Sequence, residues 1–468
     1  GNYEGMLSIL SNPPAASDRW TSRAARHLKA HVASLGDERT YASRDRYKRA
    51  VMDVNRILTV AARHQGITIS LGNYQDAALS PVRSSDLVRA AETPETNPFY
   101  PYFSARLRTL IEEETPRIIG FSLTYLSQAL CTFAMIGYLK SIAPEISTVV
   151  GGGLATSWIR SPGWNNPFCG LIDRMVAGPG EAALLSLAGR DYSGDGAPPD
   201  YDDFAAVPYL SPGFILPYSA SRGCYWNRCS FCPERAEGNT YKPVPVKRVT
   251  DHLARLTQEL HPSLIHIVDN AISPRLLEEL VLHPPGAPWY GFVRVLPQFA
   301  DADFCRALKV SGCAMLKLGI ESGDQGVLDS LEKGIEIAEA SRALTALKAA
   351  GIATYVYLLF GTPAETEREA RRTLEFTVKH KDAIDFLNVA IFNLPAHSIE
   401  TETVRTGDFY DGDLSLYRSF IHPRGWDRKK VRHFVEKEFK KHPAVAPIMR
   451  NDPPIFTSNH APYFVLME

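Results

Sequence analysis

The stretch Ile215-Leu216-Pro217-Tyr218-Ser219-Ala220 runs directly into Ser221-Arg222-Gly223-Cys224-Tyr225-Trp226-Asn227-Arg228-Cys229-Ser230-Phe231-Cys232-Pro233. An apolar run of strand length opens into a loop with three cysteines in nine residues. Runs of the same kind recur downstream at Leu264–Asp269, Trp289–Val295, Met315–Ile320, Thr354–Phe360 and Phe386–Phe392. Between them the spacing predicts helices near Val249–Glu259, Pro274–Leu282, Asp303–Ser311, Ala338–Ala350 and Glu367–His380. Six strand–helix steps predict a partial (β/α)6 barrel over 214–400, with its working loops at the carboxyl ends of the strands. The cysteine loop follows the first of those strands.

Upstream the alternation is looser. Helices are expected at Asp18–Leu35, Tyr47–His64, Phe103–Glu114 and Ser127–Ile142, and strands at Ile67–Leu71, Arg117–Leu123, Ser147–Gly151 and Leu171–Ala177. A polar, proline-rich loop reaches to Pro101, and its aromatic group Phe99-Tyr100-Tyr102-Phe103 reads as packing that loop onto a core. The whole predicts an α/β, doubly wound Rossmann-like domain over 1–190. Such sheets bind ligands at the strands' carboxyl ends, where Ser122, Thr124, Gly151, Gly152, Gly153, Gly178, Gly180 and Glu181 stand. Residues 191–213, rich in Asp, Gly, Pro and Tyr, read as a linker, and 401–468 as a small C-terminal covering region with a helix over Asp427–Lys441.

A chain of 468 residues has room for these pieces and for a large core without disulfides. With 45% hydrophobic and 22% charged residues it is of ordinary globular composition, and a net charge of −1 shows no nucleic-acid footprint. No apolar run is long enough to span a membrane. Met6–Leu10 is too short for a secretory signal, so a cytoplasmic protein is expected. Seven cysteines, an odd number, argue against a disulfide framework there. Cys131, Cys169, Cys305 and Cys313 read as small buried hydrophobes.

Cys-x4-Cys-x2-Cys is a chelating spacing, and soft thiolates select zinc or iron–sulfur. Structural zinc takes four protein ligands. No fourth Cys or His follows closely, His261 and His266 lying far downstream, so zinc requires a distant ligand and remains the alternative. Three thiolates on an iron–sulfur cluster would leave one iron open.

The loop is similar to the cluster loop of radical S-adenosylmethionine enzymes. That resemblance implies a 4Fe-4S cluster held by Cys224, Cys229 and Cys232. Its unique iron would chelate the amino and carboxylate groups of S-adenosylmethionine, and reductive cleavage would yield a 5′-deoxyadenosyl radical. An external electron donor such as a flavodoxin or ferredoxin is implied. Phe231 resembles the aromatic residue near the adenine. Met315–Gly323 with Val327-Leu328-Asp329 and Lys333-Gly334 resembles the family's fourth strand and turn, and Tyr357–Thr366 its fifth. By the same resemblance Asp269 stands where a polar group meets the nucleoside, and Arg294 where a side chain meets the methionine carboxylate or else forms an ion pair in the barrel. Glu321 would bond the ribose or amino group, or else cap the next helix. His266 and His397 read as packed or capping residues. Most of the family has three residues between the first two cysteines; this chain has four.

Residues 1–190 resemble the cobalamin-binding domain that precedes the barrel in one large subgroup. The resemblance rests on Leu7–Pro14, Ile118–Ser122, Val149–Gly153 and Gly178–Glu181, where small residues let a corrin approach the backbone. The Asp-x-His-x-x-Gly signature is absent, so no histidine from that signature is expected on cobalt. The implied activity is cobalamin-dependent methylation of an unactivated carbon in a peptide or natural-product intermediate. Two alternatives stand beside it: radical cyclisation, carbon–carbon bond formation or rearrangement without methyl transfer, and a non-enzymatic zinc-binding module. Trp426, His460, Pro462, Tyr463 and Phe464, in the C-terminal region, are candidates to cover the barrel mouth.

Overall fold

The computed structural model describes residues 18–62, 66–161, 163–192, 198–455 and 457–467. The Leu7–Pro14 stretch on which part of the resemblance rests, and part of the linker, lie outside them. The chain divides into two units. The first comprises the described residues as far as His31, with Val51–Asp195 and Gly407–Ser419; the second comprises Val32–Ala50, Gly196–Thr406 and the chain from Phe420 onward.

In the first unit, β1 (Ile67–Ser70) and β2 (Asn73–Asp76) form an antiparallel hairpin. Strands β3 (Ile118–Ser122), β4 (Ser147–Gly151) and β5 (Arg174–Met175) form a parallel sheet in the order β3-β4-β5. The helix after β3, Leu126–Ile142, buries Leu130, Phe133, Ile136 and Leu139. A second helix, Ser84–Glu92, crosses it at Gly137, where an added Cβ would stand 1.8 Å from the Ala91 carbonyl oxygen. That helix and β2 lie inside the stretch expected to be loop. Leu87, Ala90 and Ala91 supply its apolar stripe, but the polar residues between them mask the period. The expected Leu171–Ala177 strand shrinks to two residues. The Asp173 carboxylate takes the Thr148 N–H at 2.6 Å, the Thr148 hydroxyl donates to the Leu171 carbonyl, and so side chains replace the ladder there. An unexpected helix, Gly153–Ile159, starts directly after β4.

In the second unit, β6 (Ile215–Tyr218) leads into the small antiparallel pair β7 (Ser221–Arg222) and β8 (Lys242–Pro243). Strands β9 (Leu264–Ile267), β10 (Trp289–Val293), β11 (Cys313–Glu321), β12 (Ala353–Phe360) and β13 (Phe386–Ile391) complete a six-stranded parallel sheet in the order β13-β12-β11-β10-β9-β6. It is the expected partial barrel. One face, with Leu216, Ile265, Val293, Leu318, Val356 and Leu387, joins Leu253, Leu277, Leu308 and Leu344 of the helices in one core. Each such side chain contributes about 1.5–3 kcal/mol by leaving water. The other face carries His266, Tyr290, Phe292, Lys317, Tyr355 and Tyr357, one per pleat.

The C-terminal residues depart from expectation. Arg428–Phe434 is α-helical and widens into a π-turn over Val435–Phe439. Thr457–Leu466 is a further helix. It does not cover the mouth. His460 lies against Tyr41 and Tyr47, and the Tyr463 hydroxyl is 2.8 Å from that of Ser263, just before β9. Tyr290, near the start of β10, donates to Asn459 at 3.0 Å. These partners place the helix at the amino end of the strands. Trp426 alone of the expected group is at the carboxyl end, donating to the Glu365 carboxylate beyond β12 at 3.1 Å.

Candidate radical-enzyme site

Asp269, two residues beyond β9, fixes the entry to the cysteine loop. It is buried, and its carboxylate accepts from the Ala220 and Ser221 amides at 2.7 and 3.2 Å and from the Ser221 hydroxyl. Burial pushes its pKa up against those hydrogen bonds. Gly223 follows at φ +69, where a Cβ would meet the Thr240 carbonyl oxygen at 2.8 Å. Only glycine passes there without strain. Its neighbours in the β7–β8 pair close the base of the loop.

The fourth residue between Cys224 and Cys229 has a visible accommodation. Asn227 adopts the left-handed conformation at φ +44, a region asparagine tolerates better than most residues. Trp226 then projects onto the turn after the helix Gln325–Ser330. Its indole N–H donates to the Glu332 carbonyl at 2.9 Å, and its ring fills the space where a Gly334 side chain would be. The Ser230 amide donates to the Leu331 carbonyl at 3.0 Å, and that of Cys232 to Cys229 at 3.2 Å. The loop is thus pinned to residues 331–334 along its length.

Arg294, one residue past β10, is 6% exposed. Its Nη2 donates to the Lys333 carbonyl and, at 3.4 Å, to that of Gly334; Nη1 is 3.7 Å from Cys229 Sγ. The guanidinium lies 4.2 Å from the Trp226 ring centroid. Glu321 ends β11 at φ +69, beside a register shift, and pairs with Lys333 at 2.8 Å. A glutamate held in that conformation marks stored strain at the mouth. The next helix is capped by Asp324, not Glu321: the Asp324 carboxylate accepts from the Val327 amide at 3.0 Å. Phe231 is half-buried, with Lys333 Nζ 5.6 Å from its ring centroid.

None of the seven cysteines is in a disulfide, and the three of the loop are partly buried. Burial pushes Cys229 up, with Lys333 and Arg294 pulling it back, and Cys232 up to about 11. Such thiols become ligands only by giving up protons to a metal. Among the described residues no three Cys, His, Asp or Glu side chains gather as a site for a metal ion. The three soft thiols of the loop, flanked by the buried cations Arg294 and Lys333, have the donor chemistry that suits an iron–sulfur cluster, although the structure does not draw them together as a ligand set.

Sequence reading left two side chains without roles. Trp226 is one. The other is Lys317, which points inward between apolar neighbours on β11 and is only 2% exposed. Its Nζ is 3.0 Å from His266 Nε2 and 4.1 Å from the Phe292 ring centroid. Burial pushes Lys317 down to about 7 and His266 to about 3. Its signal was a lone lysine on the inward phase of a buried strand.

In the first unit, Ser122, Thr124, Gly153 and Glu181 are exposed at the carboxyl ends of the sheet, and Gly151, Gly152, Gly178 and Gly180 are half-buried. Gly152, at φ +100, is glycine for an internal reason: a Cβ would lie 2.5 Å from the Leu123 carbonyl oxygen. Gly178 donates its amide to Thr156 at 2.9 Å. Tyr125, the residue after Thr124, is exposed. A cavity of about 400 Å³ in the same unit is lined by Tyr74, Asp76, Leu126, Ser127, Leu130 and Tyr410. That is within the range of small-molecule sites, roughly 300–1,000 Å³.

Residues 218–377 match the family model of the Radical SAM superfamily. That family uses a 4Fe-4S cluster, S-adenosylmethionine and an external reductant. The chain is 25% identical over 314 residues to the uncharacterized methyltransferase PH0819 of Pyrococcus horikoshii, covering 58% of this chain and 66% of that protein. It is 24% identical to the anaerobic magnesium-protoporphyrin IX monomethyl ester cyclase of Rubrivivax gelatinosus, covering 51% and 49% respectively. The chain therefore spans between half and two thirds of these relatives. The solved structure of the methyltransferase TsrM from Kitasatospora setae, with cobalamin and a 4Fe-4S cluster bound, matches at TM-score 0.49 and 18% identity, over 68% of this chain and 73% of that one.

Proposed function

We propose that this chain, a radical S-adenosylmethionine enzyme by its residues 218–377, carries out cobalamin-dependent methylation of an unactivated carbon in a peptide or natural-product intermediate. The observation that carries the reading is a loop with three free thiols that follows the first strand of a six-stranded parallel sheet. The methyltransferase among its relatives supports it.

In this reading Cys224, Cys229 and Cys232 hold the cluster, which supplies the electron that cleaves S-adenosylmethionine. Asp269 acts through the backbone, holding Ala220 and Ser221 so that the loop starts in one geometry. Phe231 and the Glu321–Lys333 pair border the nucleoside, and the exposed Val268 and Asn270 beyond β9 lie at the same end. The half-buried inner residues Phe292, Tyr357 and Asn388 meet substrate and keep water from it. Cobalamin would lie at Ser122, Thr124, Gly151–Gly153, Gly178, Gly180 and Glu181 and supply the methyl group.

The test is anaerobic reconstitution with iron, sulfide and cobalamin. Retained corrin absorbance, with both 5′-deoxyadenosine and S-adenosylhomocysteine as products, is expected. Deoxyadenosine alone, from protein that never retains cobalamin, would sink methylation. It would favour the second reading, radical ring formation, which the cyclase relative supports. One zinc and no iron would sink both.

A further inference from the structure

A buried guanidinium needs compensation, since an unpaired charge away from water costs several kcal/mol or more. Arg294 is 6% exposed, and no carboxylate among the described residues is in ion-pair distance. Its compensation is of another kind. Two donors go to the carbonyls of Lys333 and Gly334, one face is covered by Trp226, and Nη1 is directed at Cys229 Sγ. Carbonyls and an aromatic face solvate a cation, but they do not neutralise it. Among the described residues, the ionisable side chain to which the guanidinium donates is Cys229, through its sulfur.

We propose that Arg294 is a tuning residue of the cluster. It donates a charge-assisted hydrogen bond to the Cys229 thiolate and thereby raises the reduction potential of the iron–sulfur centre. The inference rests on the reading that Cys229 is a cluster ligand. Hydrogen bonds to cluster sulfurs and nearby positive charge stabilise the reduced, more negative state. The step concerned is a one-electron reduction by a low-potential external donor; no bond forms or breaks and no proton moves. The same contacts occupy most of the fork's five N–H groups. They leave Arg294 poorly placed to hold the methionine carboxylate as well. Trp226 is part of the device, because it fills the space beside Gly334 and keeps the guanidinium from turning away.

The experiment uses the full chain carrying ¹⁵N in its arginine guanidinium groups, reconstituted anaerobically and reduced with titanium(III) citrate. Pulsed EPR of the wild type should show a weak ¹⁵N coupling to the reduced cluster, and Arg294→Lys should lose it. Arg294→Lys should also have a lower midpoint potential in a redox titration, while binding S-adenosylmethionine as tightly as the wild type. A wild type with a full cluster and no ¹⁵N coupling would overturn the proposal, even if the variant does not fold. So would a variant whose potential is unchanged and whose S-adenosylmethionine affinity falls tenfold, which would assign Arg294 to the carboxylate. A wild type that takes up no iron would overturn the cluster assignment itself, and this inference with it.

Discussion

Single residues decide whether the cysteine loop can close. Gly334 is the tightest case, because a Cβ there would be 2.1 Å from the Trp226 ring. Gly334→Ala should cost on the order of 1–3 kcal/mol of stability and lower the iron bound per chain after reconstitution. Adding Trp226→Leu should return part of the lost iron. Iron counts and melting curves check this, and unchanged values in the single variant would refute the packing role. Protonation acts on the same loop. Cys229 and Cys232 have pKa values raised by burial, so as the proposed cluster ligands they would give up their protons only to a metal. Iron retention in a chelator should therefore fall as pH is lowered, since protons compete for the ligands. A retention curve flat from pH 9 to pH 6 would contradict it. These roles were partly legible. The three cysteines and Glu321 stand out by spacing and position, whereas Trp226 looked like any aromatic residue in a loop, because its partners come from residues 332–334.

At the scale of elements, the regular strands of the barrel were readable because each is buried and alternates with a helix. Val246–Leu260 and Glu367–Lys379 bury one stripe each, and the latter begins with a Thr366–Glu369 capping box. The helix Ser84–Glu92 was not readable, as its stripe is short and its neighbour is chosen by Gly137. Gly137→Val should separate the two helices and destabilise the first unit by about 3 kcal/mol or more. Limited proteolysis should then cut first within Val51–Asp195, while the barrel unit stays intact. Loss of both units together would show that the crossing is not a local matter. Asp324 is a gentler case: Asp324→Ala removes a cap and the buried partner of Arg372, at a cost of about 1–2 kcal/mol in thermal unfolding.

Over the whole molecule, buried bases contribute a pH dependence of one sign. Lys317 has a folded pKa of about 7 against 10.5 unfolded, and His266 and His460 about 3 against 6.5. In each case the unfolded chain binds more protons between the two values, so the contribution of these three groups rises with pH across both windows, while Glu365, raised by burial to about 8, and Asp452, raised to about 7, contribute the opposite slope above pH 4. The contribution of the three bases should be lost as pH falls from 10.5 to 7, and again from 6.5 towards 3. Lys317→Met should abolish the alkaline part and stabilise the protein at and below pH 7 by an amount on the order of 3–5 kcal/mol. Urea unfolding of both proteins at pH 6.5 and 10 checks it; equal stabilities at pH 6.5 would mean that the ammonium is solvated. Among the described residues no helix is long and apolar enough to cross a membrane. By itself the sequence determined the (β/α) order, the chelating spacing and the resemblance to radical S-adenosylmethionine enzymes, because strand and helix periods and a nine-residue cysteine spacing are local properties of the chain. The tertiary structure alone decided that Arg294 faces a thiol, that Asp324 rather than Glu321 caps the helix, and that the last helix packs on Tyr41 and Tyr47 at the amino end of the strands. Those outcomes depend on contacts between residues tens to hundreds of positions apart, and their energy comes from burial and from satisfying buried polar groups, for which no local pattern of residues stands in.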